Sequence, residues 1–352
     1  MMLPISFKQF YHAIIATLLL LPLNATAAVI LQYHHVSDTL PKVTSISASD
    51  FEQHLLYLKN NQFDVISLPE LITALQEKKR LSDKTVAITF DDGFKNNYEQ
   101  AAPLLEKYQF PYTIFVNPKL IDENVQQIIS WEQLRVLVNK GATIANHSMS
   151  HDYLHHKHPG ESNADWLARI RADILTSEQR IADETGHNFK YLAYPYGEFN
   201  LELQKLVEEI GFIGFGQHSG AITHTNDFTR LPRYPASGNY SDISTLTTKL
   251  DSLAFPLSKK IMIDSVTSEL KPSITLHFSE LDFTPNQFQC FISGGNSADL
   301  IWSEDNKSVT VRALKPLRKG RTRYNCTAPS KRKNGRYYWF SQPWVVVAEQ
   351  NN

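Results

Sequence analysis

The stretch TVAITFDDG occupies residues 85–93 and joins an apolar, β-rich run to two adjacent carboxylates. Asp91 and Asp92 follow the predicted strand at its carboxyl end, where catalytic groups lie in α/β barrels. Gly93 lets the backbone turn directly after them. Two neighbouring carboxylates repel each other, so a cation beside one of them would stabilise the pair. Taken alone, an Asp-Asp-Gly surface turn explains these residues equally well.

Strands and helices are predicted to alternate on both sides of this stretch. Apolar runs predict strands at Val29–Tyr33, 63–66, Thr85–Phe90, 112–117, 142–145, 191–194 and 212–215. Helical spacing and capping residues, such as Ser130 with Gln133, predict helices at 49–59, 67–76, 97–108, 130–140, 163–183 and 200–210. Seven strands separated by helices imply a parallel sheet, and the chain length favours an α/β fold of the deformed (β/α)7 barrel type.

The pattern changes near residue 257, where predicted strands follow one another without helices. These strands are 261–266, 273–278, 288–293, Ser308–Ala313 and 337–340. They predict a small all-β, sandwich-like domain. The sequence therefore divides into a leader at 1–27, a barrel domain at 28–255 and a C-terminal β domain at 256–352.

The N-terminus has the layout of a secretory signal peptide. Lys8 precedes an apolar stretch at 13–23, and residues 25–27 match the small-x-small cleavage pattern. A membrane anchor is the alternative, but the apolar stretch is shorter than the roughly 20 residues of a span. We therefore expect an exported protein, periplasmic or secreted, without a transmembrane span after cleavage near Ala27. In an exported chain, Cys290 and Cys326, the only cysteines, are expected to form a disulfide.

The net charge of −1 conceals an uneven distribution. Residues 28–254 contain 20 basic and 28 acidic side chains, whereas 14 basic and 8 acidic side chains follow from residue 255. Ten Lys and Arg lie between Arg312 and Arg336, without an acidic residue. This stretch has two interpretations. It forms solvated hairpin loops, or it forms a surface that binds an anionic envelope component or a protein partner. A nucleic-acid partner is not expected outside the cytoplasm.

Histidines cluster after the strand predicted at 142–145. His147 and His151 are four residues apart, a spacing that places both imidazoles on one face of a helical turn. Together with Asp92 they would form three protein ligands with an open position for water, the arrangement of a catalytic zinc site. His155, His156 and His158 follow in a polar loop and are expected to be solvated.

A third group of residues, AYPYG at 193–197, lies at another strand end. A turn of proline, aromatic residue and glycine can present a backbone N–H to a developing oxyanion.

These three groups together resemble the motifs of the NodB-homology polysaccharide deacetylases, carbohydrate esterase family 4. The resemblance covers about residues 29–250. It implies that Asp91 is the catalytic base and that Asp92, His147 and His151 bind Zn²⁺ or another divalent metal such as Co²⁺ or Ni²⁺. It further implies that Pro195 and Tyr196 wall the sugar site and that the Tyr196 N–H stabilises the oxyanion.

Two motifs depart from the family pattern. Ala193 stands where an arginine usually orients the catalytic Asp, and Arg233 in the sequence Leu-Pro-Arg is expected to replace it. The family branch that begins with Tyr-His-His-Val, as residues 33–36 do here, includes exported deacetylases of poly-β-1,6-N-acetylglucosamine. The late motif whose histidine acts as general acid is missing from the barrel, and His277 imitates it only by coincidence. His34 and His35, at the end of the first strand, are the candidates for the acid by position, and a core or hydrogen-bonded structural role explains either of them equally well.

The resemblance implies metal-dependent hydrolysis of N-acetyl groups on an acetylated hexosamine polysaccharide. Poly-β-1,6-N-acetylglucosamine is favoured, and peptidoglycan and chitin fragments stay open as substrates. The alternative is a non-catalytic carbohydrate-binding or export-scaffold protein that has retained the barrel. Loss of the two motifs favours this alternative, whereas retention of both carboxylates and both histidines favours an enzyme.

Overall fold

The structure is a computed structural model, and it describes residues 27–348. The predicted leader lies outside the described residues except for Ala27. Among the residues that are described, no helix has the length and apolar character needed to cross a membrane.

Eighteen strands are found within the described part of the chain. In order they are β1 (Val29–Tyr33), β2 (His35–Val36), β3 (Ser45–Ile46), β4 (Asp64–Val65), β5 (Thr85–Phe90), β6 (Thr113–Val116), β7 (Thr143–Asn146), β8 (Tyr191–Ala193), β9 (Ile213–Phe215), β10 (Tyr234–Pro235), β11 (Ser252–Leu253), β12 (Val266–Thr267), β13 (Ser273–His277), β14 (Gln289–Ile292), β15 (Asn296–Trp302), β16 (Ser308–Ala313), β17 (Gly320–Pro329) and β18 (Tyr337–Val346).

The α-helices of the described residues all precede β11. They are α1 (Ala48–Asn60), α2 (Leu68–Gln76), α3 (Ala102–Tyr108), α4 (Pro118–Asp122), α5 (Trp131–Asn139), α6 (Asn163–Thr185), α7 (Leu201–Glu209) and α8 (Ile243–Leu250). A π-helical turn, Asn97–Ala101, leads into α3. Ser130 and Gln133 form the predicted capping box of α5, each side chain bonding to the other residue's backbone N–H.

A parallel sheet in the order β10-β1-β5-β6-β7-β8-β9 forms the first half of the molecule, with β4 beside β5. Its strands are almost entirely buried, as expected for a parallel sheet covered by helices. Because the strands are parallel, the carboxyl ends of β1, β5, β7 and β8 lie at one edge. The predicted α/β barrel architecture is therefore confirmed.

The segment around β10 connects the two ends of this sheet. Leu231 forms a parallel bridge with Phe215 at the end of β9, while Tyr234 pairs with Leu31 of β1. The same short stretch thus closes the barrel between its first and last strands. Arg233 lies between these two contacts, which fixes its side chain in the barrel.

The second half is a mostly antiparallel sheet in the order β11-β18-β17-β14-β15-β16-β13, with β12 beside β18. Its strands enclose an aromatic core that includes Phe278, Phe283 and Phe288. The prediction of a sandwich-like β unit is confirmed. The strand predicted at 261–266 is wrong, since only Val266–Thr267 pairs there, and β15 and β17 were not predicted.

The boundary predicted at residue 255 falls close to β11. That strand precedes the boundary but pairs with β18, so Ser252 and Leu253 belong to the second sheet by hydrogen bonding. Cys290 and Cys326 face each other in register on β14 and β17 and are bonded, which confirms the predicted disulfide.

Candidate active site

Three side chains from two strand ends converge on one point. Asp92 Oδ1 lies 3.2 Å from His147 Nε2 and 3.1 Å from His151 Nε2. Within the described residues, the buried atoms Asp92 Oδ1 and His147 Nε2 have no hydrogen-bond partner. An orphaned carboxylate oxygen beside two imidazole nitrogens is the donor set expected for zinc, so these residues fit a divalent metal.

The tautomer of His147 is fixed by the strand next to it. His147 Nδ1 lies 2.8 Å from the carbonyl oxygen of Ala193, at the end of β8, to which it donates its proton. Nε2 then keeps a free lone pair for a metal, as in metal sites where a carbonyl orients the imidazole. The amide of Asn117 supports the same loop by donating to the carbonyl oxygens of His147 and Ser148, at 2.5 and 3.2 Å.

The loop that carries both histidines is not helical, contrary to the sequence prediction. Ser148 and His151 have φ values of 67° and 63°, in the left-handed region. Asn146 Oδ1 accepts a hydrogen bond from the Ser148 N–H, which favours this tight turn. The turn, rather than a helix face, brings the two imidazoles to Asp92.

Asp91 is completely buried and is bound by an arginine that directly precedes β10, two strands away from β5 in the sheet. Arg233 donates from Nη1 to Asp91 Oδ1 at 2.6 Å and from Nη2 to Oδ2 at 2.8 Å. Gln32, from β1, donates to Oδ2 at 2.5 Å. Three of the roughly four lone-pair sites of the carboxylate are occupied, and Oδ1 retains a free one. Sequence reasoning did not identify Gln32, whose only indication is a polar residue inside an apolar strand.

The charges of the site hold both carboxylates in the ionised form. Burial alone would raise the pKa of Asp91, but the Arg233 guanidinium and His147 lower it below its usual value. Burial would also raise the pKa of Asp92, whereas contact with His147 and His151 holds it well below that value. Ionised carboxylates are required both for a general base and for a metal ligand.

His34 and His35 have different surroundings at the end of β1. His34 is close enough to both Asp91 and Asp92 to lower their pKa values. The ring of His35 stacks on Phe94 with centroids 3.5 Å apart, and its Nδ1 lies 2.9 Å from Asn96 Nδ2. Burial lowers the pKa of His35.

The turn at 195–197 lies against the histidine loop. Tyr196 has φ 60°, and its ring packs edge-on to His151 with a centroid distance of 4.5 Å. Pro195 is buried beneath this turn. Arg321, from β17, reaches the Tyr196 carbonyl oxygen at 3.4 Å, so the second sheet contributes to the rim of the site.

The remaining histidines of the sequence clusters lie elsewhere. His156 and His158 are exposed as expected, but the solvated environment expected for His155 is wrong: it is 8% exposed and contacts Glu198. His277 belongs to β13 in the second sheet, away from the barrel, which agrees with its interpretation as a coincidence.

Residues 78–214 match the family model described as polysaccharide deacetylase. YxkH of Bacillus subtilis is 28% identical over 214 residues, which cover 60% of this chain and 72% of that protein. The poly-β-1,6-N-acetyl-D-glucosamine N-deacetylase of Staphylococcus aureus is 27% identical over 206 residues, which cover 57% of this chain and 71% of that enzyme.

Two solved structures share the barrel fold. The deacetylase PplD of Streptococcus pyogenes matches with a TM-score of 0.58 at 22% identity, covering 64% of this chain and 99% of that one. IcaB of Ammonifex degensii matches with a TM-score of 0.55 at 21% identity, covering 64% of this chain and 97% of that one. Each of these similarities leaves more than a third of this chain uncovered.

Proposed function

Since this chain carries a polysaccharide deacetylase domain over residues 78–214, we propose that it removes N-acetyl groups from poly-β-1,6-N-acetylglucosamine with the help of a divalent metal. We favour this polymer as the substrate because the similar protein of Staphylococcus aureus is a poly-β-1,6-N-acetyl-D-glucosamine N-deacetylase. We assign the catalytic unit to residues 28–255 and a separate β domain to 256–352.

The observation that carries the proposal is the separation of the two adjacent carboxylates into different environments. Asp92 faces two histidine nitrogens, whereas Asp91 faces a guanidinium and an amide. One carboxylate is thereby suited to hold a metal and the other to accept a proton. Arg233 contacts both oxygens of Asp91, which keeps that buried carboxylate ionised and oriented.

The donor set of Asp92, His147 and His151 would hold Zn²⁺, or Co²⁺ or Ni²⁺ in its place. Such an ion supplies Lewis-acid chemistry that polarises the acetyl carbonyl and lowers the pKa of water.

The protein's own groups would perform the proton transfers. Asp91 Oδ1 would take the proton of the attacking water, with Arg233 holding the carboxylate in position. The Tyr196 N–H would donate to the oxygen that becomes negatively charged. We assign protonation of the leaving amine to His34, because it lies near both carboxylates while His35 is stacked and hydrogen-bonded elsewhere.

Export supports an envelope or extracellular substrate. The disulfide and the leader-like residues 1–27 both favour a periplasmic or secreted location. The anionic envelope or protein partner of the basic stretch remains a prediction.

Acetate release from defined polymers tests this proposal. The protein would be stripped with a chelator and reloaded with Zn²⁺, Co²⁺ or Ni²⁺, then assayed on poly-β-1,6-N-acetylglucosamine, peptidoglycan and chitin oligomers. We expect metal-dependent acetate release, greatest on the first polymer. Asp91→Asn should bind metal normally yet lose at least about a hundredfold in rate.

Two results would count against the proposal. Binding of the polymers without acetate release under any metal would favour a carbohydrate-binding scaffold. A metal-replete Asp91→Asn variant with normal turnover would refute the assignment of the base.

A further inference from the structure

A second group of metal-binding side chains lies just outside the catalytic site. His155, His156 and Glu198 each place one ligand atom within 4.8 Å of the others. His155 and Glu198 are 8% and 7% exposed, whereas His156 is exposed to solvent. Two imidazoles and one carboxylate form a zinc donor set that leaves a position for water.

Charged side chains of both signs lie around this group. Asp264 interacts electrostatically with both Glu202 and His155, and burial raises its pKa. The guanidinium of Arg169 lies near His156 and donates from Nη2 to its carbonyl oxygen at 3.0 Å. The guanidinium of Arg321 is a second opposing cation, with Nε 3.5 Å from Glu198 Oε1. It approaches Oε1, whereas His155 Nε2 contacts Oε2 at 2.7 Å, so the Oε2 side of the carboxylate faces the imidazoles.

A simple hydrogen bond between His155 and Glu198 is the competing explanation. Their 2.7 Å contact is shorter than the spacing of about 3.3 Å between two ligands of one tetrahedral zinc ion. Binding would therefore displace the shared proton and separate the two atoms slightly. A hydrogen bond between His155 and Glu198 does not explain the position of His156. Its ring lies edge-on to that of His155, with a centroid distance of 4.3 Å.

The group connects two segments that carry catalytic residues. His155 and His156 follow His151 on the histidine loop, and Glu198 follows Tyr196 on the catalytic turn. The ring of Tyr153 lies between them, stacked on His156 at 4.7 Å and on Tyr196 at 3.9 Å. An ion at this position would fasten the loop to the turn.

We propose that His155, His156 and Glu198 form a second zinc site that fixes the histidine loop against the turn of Tyr196. One ligand of this second site, His156, is more exposed to solvent than Asp92, His147 and His151. This assignment rests on the donor geometry alone and does not depend on the deacetylase reaction.

Zinc binding to the full exported chain tests the site once the first donor set is removed. In an Asp92→Ala/His147→Ala background, equilibrium dialysis against Zn²⁺ should find about one ion per chain. Adding His156→Ala, or Glu198→Gln, should abolish that binding. His158→Ala is the matched control, since His158 is an exposed histidine of the same loop outside the ligand group, and it should retain the ion.

A stability measurement gives an independent readout of the same site. An ion that binds only the folded chain raises the melting temperature as its concentration increases. The zinc-dependent rise should be present in the background and His158→Ala proteins and absent with His156→Ala. No bound zinc in the background protein would overturn the proposal, as would equal binding by all variants or equal loss with His156→Ala and His158→Ala.

Discussion

At the scale of single residues, the orientation of Asp91 depends on the two-point contact with Arg233. A planar guanidinium can hold both carboxylate oxygens at once, whereas a lysine ammonium acts as a single point charge. Arg233 also donates from Nε to the Gly216 carbonyl oxygen at 3.0 Å, which fixes the guanidinium in the barrel wall. The charge and the geometry of this contact can therefore be separated by substitution.

Arg233→Lys should leave Asp91 ionised but less firmly oriented, because the two-point contact is lost and Gln32 holds only Oδ2. Because small misplacements of a catalytic group can reduce rates about a hundredfold, we expect a loss of that order in kcat with little change in KM. Steady-state acetate release and metal content measure these effects. Unchanged kcat in a folded, metal-loaded variant would show that Arg233 does not position the base.

Gly197 allows the turn at 195–197 to pack closely against the neighbouring segment at Gln217. Its φ is +70°, and an added Cβ would lie 2.8 Å from the backbone nitrogen of Gln217. Gly186, which ends α6, has a similar φ of +75° but nothing within 4 Å of an added Cβ. The two glycines thus share the backbone requirement and differ in the close contact.

Gly197→Ala should therefore lower both stability and acetate release. Gly186→Ala, the control, should lose only about 1–2 kcal/mol for the left-handed conformation and keep its activity. Thermal unfolding and acetate release measured on both variants separate the two effects. Equal activity in the two variants would contradict a requirement for close packing at the turn.

At the scale of secondary-structure elements, His54 connects α1 to β1 and to the start of α8. Its Nδ1 accepts from the Tyr33 hydroxyl at 2.9 Å, and its Nε2 donates to the Ser241 carbonyl oxygen at 2.7 Å. Burial lowers the pKa of His54 to about 4, with Lys249 lowering it further against the opposite effects of the Ser241 carbonyl, Asp50 and Asp242. The folded protein therefore requires neutral His54.

We expect the protein to lose stability as the pH falls from about 6.5 to about 4. Over this range the imidazole of His54 is protonated in the unfolded chain but not in the folded chain. This difference lowers the free energy of unfolding by about 3 kcal/mol at most. Urea unfolding of wild type and His54→Gln across this pH range measures the effect. The difference between the two should shrink toward pH 4, and parallel curves would contradict it.

Most elements of the barrel could be predicted because their sequence patterns are strong. The apolar runs of β1 and β5 coincide with the observed strands. β15 was missed because its side chains are largely half-buried or exposed, so no buried face marks it. The apolar residues at 261–263 suggested a strand, but Ile261 instead lines a cavity between the two halves.

The residues of the candidate site were predictable where they follow strands as motifs, and less so where distant segments meet. Asp91, Asp92, His147 and His151 lie in local patterns. Gln32 and Asn117 are single polar residues whose roles depend on the packing of neighbouring strands. The contact of β17 with the turn at 195–197 could not be predicted either, because more than a hundred residues separate the two segments and only the fold brings them together.

At the scale of the whole molecule, the two sheets share an extensive interface. The ring of Trp339 packs edge-on to that of Tyr234, and Arg230 donates to Gln342 at 2.9 Å in the buried contact. Lys333 forms an ion pair with Asp83 at 2.7 Å. Part of the basic stretch at 312–336 therefore contacts the acidic half of the chain.

A cleft of about 150 Å³ runs from the turn at 195–197 onto the second sheet, with Arg321 and Arg323 among its lining residues. A polymer bound across Tyr196 would extend into this cleft, whereas a single acetylated sugar would not reach it.

Arg321→Ala should therefore raise the KM for the polymer about three- to tenfold, which corresponds to the loss of one hydrogen bond, with kcat little changed. The KM for a short acetylated fragment should stay the same. Arg318→Ala, an exposed arginine outside the cleft, is the control, and acetate release from both substrates measures the comparison. If Arg321→Ala and Arg318→Ala showed the same polymer KM, the second sheet would have no part in binding the substrate.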